Sequence, residues 1–135
     1  MVALALLTRP RKQHSLVNIE REGEFVVNLP GADLAAAIVQ SSYLFPAGVR
    51  KTALLDLGYR PAQRVAPPVI QQCRAHVECR LVTHLLTGDH TLLVAEVVAA
   101  SCVPGQEREN SVPDLTEHPP CLHLGQTSRS DFQEH

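Results

Sequence analysis

A chain of 135 residues with 44% apolar and 19% charged side chains suffices for one folded domain, and aromatics at 4% with no Trp make its core aliphatic. The net charge of −2, with histidines neutral, excludes a global basic field for nucleic acid or an anionic membrane surface, so any anion site must be local. Cys73, Cys79, Cys102 and Cys121 show no metal-knuckle spacing and nothing resembles a secretory signal, which points to reduced thiols and a cytoplasmic protein.

The opening "VALALLT", Val2 to Thr8, lacks polar alternation, as expected of a strand covered on both faces. With Met1 it forms an apolar run far shorter than the roughly 20 residues needed to span a bilayer. A cationic run, "RPRKQHS", follows and ends at Ser15, a suitable N-cap for an amphipathic helix over Leu16 to Glu22 that Gly23 stops. "EFVVNLP", Glu24 to Pro30, is rich in β-branched residues and predicts a strand, with Pro-Gly turning the chain into a second helix over "ADLAAAIVQSS". Between Tyr43 and Gly58 the chain turns through "FPAGVRK" and makes one short helix over "TALLDL".

In "CRAHVECRLVTHLL" the alternation is clearest. Cys73, Ala75, Val77, Cys79 and Leu81 point one way and Arg74, His76, Glu78 and Arg80 the other, the pattern of a half-exposed antiparallel strand. Its hairpin partner is Thr91 to Ala100, joined through a turn at Thr87 to His90. Past Val103 a Pro-, Glu-, Asn- and Ser-rich excursion runs to Pro120, "CLHLG" (Cys121 to Gly125) returns to apolar character, and residues 126–135 form a frayed tail beyond a domain of residues 1–125. This succession predicts a mainly β (α+β) fold, a barrel or sheet with helices on its rim, with closure favoured because it removes exposed edges.

Two stretches carry candidate chemistry. Arg9, Arg11, Lys12 and His14 stand just before a helix start at Ser15, where free N–H groups, the helix dipole and guanidinium forks suit a phosphate; a solvated cationic loop has the same composition. Gly88-Asp89-His90 has ordinary turn chemistry, yet a turn does not require an imidazole at the head of a strand, where it could stack on or hydrogen-bond a planar ligand. Downstream, Glu96 lies among Val94, Ala95, Val97 and Val98 and needs a partner or an exposed face. His76 and His84 are too far apart along a strand to chelate, and no helical His pair is present, so no metal site is expected. Neither a G-x-S-x-G elbow nor a dinucleotide or Walker-type glycine loop occurs.

Together, "NIEREGEFVVNLP", "FPAGVRKTALLDLGYRPA", "PPVIQQCRAHVECRLVTHLLTGDHTLLVAEVV" and "CLHLG" resemble, in order and spacing, the flavin reductase-like family, including flavoredoxins, whose fold is the FMN-binding split β-barrel. The resemblance runs from Val2 to Gly125. It implies a homodimer holding FMN, with the phosphate near Arg9, Arg11, Lys12, His14 and Ser15 and the segment Ala47, Gly48, Val49, Arg50, Lys51 near the flavin. It further implies that His90 receives the nicotinamide of NAD(P)H, with His123 and Gly125 close to that site, and that the chain is either a reductase supplying reduced flavin to a partner enzyme such as an oxygenase or a flavoredoxin-like electron carrier. No catalytic side chain is expected, since the flavin carries the redox chemistry and the protein positions it.

Two departures bear on these expectations. Family members usually begin with two further strands before the segment matching "VALALLT", so either the true start lies upstream or the chain is a shortened relative with an open barrel seam. Arg50 stands where relatives often carry a small or acidic residue. The alternative expectation is a shortened, non-catalytic split-barrel dimer that binds no flavin, or another planar ligand such as haem.

Overall fold

The computed structural model describes residues 1–41 and 55–103, together with the backbone of Glu107–Arg108 and Val112–Pro113. In chain order the elements are β1 (Val2–Leu7), α1 (His14–Glu22), β2 (Glu24–Leu29), a 3-10 turn (Ala32–Leu34), α2 (Ala35–Ser41), the short strands β3 (Tyr59–Arg60) and β4 (Val69–Ile70), the long β5 (Ala75–Thr87) and β6 (His90–Cys102), and β7 (Glu107–Arg108) and β8 (Val112–Pro113). The main sheet is antiparallel in the order β1-β6-β5-β2 and curls into a half-barrel. The predicted second helix thus begins as a 3-10 turn. Of the predicted helix over "TALLDL", residues 52–54 lie outside the described residues, and Leu55 and Asp56 form a turn.

Since β1 pairs with β6 and β2 pairs with β5, α1 must cross the inner face from one edge of the sheet to the other. Its Leu16 and Ile19, three residues apart on one helix face, pack with Phe25, Cys79, Leu93 and Ala95 to form the buried core. Gly23 ends the helix as predicted: at φ 71° its N–H donates to the Ile19 carbonyl at 2.8 Å, a left-handed cap that a side chain would strain. The expectation that β1 is covered on both faces fails. Ala3 and Ala5 are exposed, because only the Val2, Leu4 and Leu6 side of β1 packs on the core.

The sheet also stays open among the described residues. A groove of about 410 Å³ separates its two edges, lined by Leu4 and Leu6 of β1, Phe25 and Val27 of β2, Ser15 and Asn18 of α1, and Pro67 and Pro68.

Alternation along β5 is present, but the side expected to face water is covered over its first half. His76 and Glu78 are each 2% exposed, whereas Arg80 is exposed as expected. The chain from residue 61 to 72 lies across them, and a loop in that position needs acceptors for its amides. Glu78 supplies two: its Oε1 and Oε2 accept the N–H groups of Gln63 at 2.8 Å and Arg64 at 2.7 Å. Glu24 accepts the Ala66 N–H at 2.9 Å and holds Arg80 at 3.1 Å, while Arg80 donates to the Arg64 carbonyl at 3.1 Å. Asn28 Oδ1 accepts the Ile70 N–H and lies 2.9 Å from His76 Nδ1, which must therefore be the protonated ring nitrogen. Val65 and Val69 of the same stretch are themselves buried.

Candidate functional site

The chain between β1 and α1 is closed by Gln13, whose Oε1 accepts the Leu7 N–H at 2.8 Å and whose own N–H donates to the Leu7 carbonyl at 3.1 Å. Residues 8–12 become a tight excursion from which Arg9, Arg11 and Lys12 project into solvent. Gln13 is also the helix N-cap, displacing Ser15 from the role predicted for it. Because its amide is engaged by Leu7, it makes no capping bond, and the first turn holds no acidic residue. The helix therefore starts at His14 with its positive end uncompensated, and Ser15 sits inside the first turn, on the rim of the groove.

The predicted cations differ in their engagement. Among the described residues neither Arg9 nor Arg11 has a carboxylate within ion-pair distance. Lys12 is held by Glu20 at 2.6 Å, and the other Glu20 oxygen lies 3.4 Å from His84 Nδ1. The hydrogen bond from Lys12, with the charges of Lys12 and His84, lowers the Glu20 pKa against the opposing effect of burial. His14 is half-buried at the head of the helix.

The hairpin tip abuts this corner. β5 and β6 run in register to Thr87↔His90, leaving Gly88-Asp89 as a two-residue loop with Gly88 at φ 61°, the turn predicted from the sequence. The Asp89 carbonyl accepts the N–H groups of Thr8 at 2.7 Å and Arg9 at 3.0 Å, and the hydroxyls of Thr8 and Thr91 meet at 2.6 Å. Leu7 pairs directly with His90. The cationic corner and the imidazole thus share one end of the sheet, although Arg9 and His90 do not themselves line the groove.

Asp89 Oδ1 lies 2.7 Å from His90 Nδ1, and this hydrogen bond is the main cause of a lowered Asp89 pKa. Glu96 is exposed opposite Arg80, the solvent-facing solution its sequence context allowed. The segment Ala47, Gly48, Val49, Arg50, Lys51 and the pair His123 and Gly125 lie outside the described residues. In the sequence Asp89 reads only as a turn former, and Gln13, Glu24, Asn28 and Glu78 carry no signal, since their partners are backbone amides that no motif announces.

Residues 1–129 match the flavin reductase like domain family. The chain is 35% identical over 105 residues to an uncharacterised protein of Archaeoglobus fulgidus, covering 78% of this chain and 57% of that one. It is 33% identical over 104 residues to one of Deinococcus radiodurans, covering 77% and 44%. The chain thus spans about half the length of these curated relatives.

Among solved structures it is similar to nitrilotriacetate monooxygenase component B from Bacillus cereus (TM-score 0.79, 16% identity, 93% of this chain and 70% of that one). Flavoredoxin of Desulfovibrio vulgaris (Miyazaki F) gives TM-score 0.74 at 16% identity, covering 95% and 74%. A split barrel domain protein from Shewanella frigidimarina gives TM-score 0.75 at 14% identity, covering 93% and 70%. At these identities the likeness shows the fold, which is the mainly β split barrel expected from the sequence.

Proposed function

Because the chain belongs to the flavin reductase like domain family, we propose that it is an FMN-binding oxidoreductase that passes hydride or electrons between NAD(P)H, bound flavin and an acceptor. The observation that carries this reading is the pair of N–H bonds from Thr8 and Arg9 to the Asp89 carbonyl. Through them the cationic corner and the imidazole are held at one end of the sheet, where a single ligand with a phosphate at one end and a reactive ring at the other can meet both.

The residues present fit such a group. An uncapped helix start and two arginines without a carboxylate partner among the described residues suit a phosphate dianion, while Lys12 joins them only by leaving Glu20. The apolar side chains of Leu4, Leu6, Phe25 and Val27 offer a wall for a planar ring. The bound flavin supplies two-electron redox chemistry. Arg9, Arg11, Lys12, His14 and Ser15 hold and orient it, residues 47–51 approach it, and His90, with His123 and Gly125, receives the nicotinamide. The working unit is a homodimer in the cytoplasm, and the acceptor includes a partner oxygenase. Among the described residues no helix is long and apolar enough to cross a membrane.

The test is reconstitution of the purified protein with FMN, followed by anaerobic addition of NADH or NADPH while absorbance is read at about 450 nm, a band set by the cofactor. Retained yellow colour bleached by one donor is the expected result. Colour without bleaching by either donor makes the protein a flavoredoxin-like carrier, and a folded protein that gains no flavin contradicts the assignment.

A further inference from the structure

We propose that Asp89 is a positioning residue that holds His90 as its Nδ1–H tautomer, leaving Nε2 a bare acceptor that selects a planar ligand bearing a primary carboxamide over one bearing a carboxylate. The selectivity rests on the reading that His90 receives a nicotinamide; the tautomer does not.

A carboxylate can only accept, and a contact of 2.7 Å between Asp89 Oδ1 and His90 Nδ1 therefore places the proton on Nδ1. A neutral imidazole free in water favours the opposite tautomer, so Asp89 changes which nitrogen offers its lone pair. The lowered Asp89 pKa, caused first by that hydrogen bond, agrees with an ionised partner.

Asp89 is also well anchored. Its carbonyl is gripped by two amides from the end of β1, and Thr91, on the other side of His90, is buried and tied to Thr8. The imidazole between these anchors keeps 43% of its side chain exposed, and Nε2 has no hydrogen-bond partner among the described residues. A carboxamide N–H can donate to that nitrogen. A carboxylate in the same place would face both its lone pair and the Asp89 charge.

Asp89 follows Gly88 but is not itself left-handed, and its backbone bonds do not depend on its side chain, so Asp89→Ala preserves the turn. Isotope-edited nitrogen NMR of His90, identified by loss of its signals in His90→Gln, is recorded at a pH of about 8, above the usual imidazole range. The wild type is expected to show a protonated Nδ1 and a bare Nε2, Asp89→Ala a majority of the opposite tautomer, and Asp89→Asn, which keeps an acceptor oxygen, the wild-type pattern. In the FMN-loaded protein, Asp89→Ala is expected to raise the KM for NADH about tenfold and to cut its preference over the nicotinic acid counterpart by about the same factor. FMN affinity is expected to stay within about twofold, since the bonds to Thr8 and Arg9 come from the backbone.

A wild-type spectrum with the proton on Nε2 overturns the proposal, as does an Asp89→Ala protein whose tautomer changes while its amide-over-acid preference does not. If FMN fails to bind, the functional reading falls by itself and the nitrogen spectra still decide what Asp89 does to His90.

Discussion

The two halves of the β5–β6 hairpin are built to different ends. From Ala75 to Cys79 β5 is covered on both faces, inside by the core and outside by the chain from residue 61 to 72, and even a carboxylate and an imidazole are buried there. From Val82 to Thr87 β5 is exposed along its length, and the covered face is continued by Thr91 and Leu93 of β6. Two register shifts, between Glu78 and Cys79 and between Leu81 and Thr83, mark the change, and the pairing of β5 with β2 stops at Arg80. One strand thus serves as wall in its first half and as a stalk for a polar tip in its second. Function needs groups that water and ligands can reach, and the second half provides them.

The contrast can be broken by substitution. Leu93→Ala, at a fully buried position in the second half, is expected to cost about 2–5 kcal/mol in denaturant unfolding, whereas Leu85→Ala, 63% exposed, should stay within about 0.5 kcal/mol. Equal costs would mean that the outer face of the stalk is covered after all. Glu78→Ala in the first half removes the acceptor of two loop amides and is expected to cost about 1–3 kcal/mol. Hydrogen exchange should accelerate at Gln63 and Arg64 first, and a uniform acceleration would contradict the role given to Glu78 as a clamp.

A smaller effect sharpens the same contrast through pH. Burial, followed by the nearby Arg60 charge, lowers the His76 pKa, while Glu78 opposes the shift. The folded state therefore resists protonation more than the unfolded chain does. Its stability from this group is complete above the ordinary histidine value of about 6.5 and declines as pH falls from there toward the lowered folded value. Unfolding free energies measured across that interval should fall with acid in the wild type and fall less in His76→Gln.

How far the sequence could be read depended on what each signal encodes. Period-two alternation revealed the hairpin, and Gly88 and Gly23 marked places where the backbone turns left-handed. Alternation assigns side chains to faces but says nothing of what later covers a face, which is why Glu78 and His76 were expected in solvent. Ser15 is chemically a better cap than Gln13, yet a glutamine can reach back to Leu7 and close the preceding loop, and that tertiary bond shifted the helix start to His14. Glu24 and Asn28 bind amides 42 residues away, a separation beyond any local pattern. The Arg9 to Ser15 corner and His90 were both legible as candidates. Their adjacency was not, because it depends on β1 pairing with β6 across more than half the chain.

The central claim is that this corner holds the phosphate of a flavin whose ring lies toward His90, and paired titrations of FMN and riboflavin test it most directly. In the double variant Arg9→Ala, Lys12→Ala, FMN affinity is expected to fall by about tenfold or more while riboflavin changes by less than about twofold, since only FMN carries the charge those residues meet. Equal weakening of both ligands, or no weakening of either, would contradict the account.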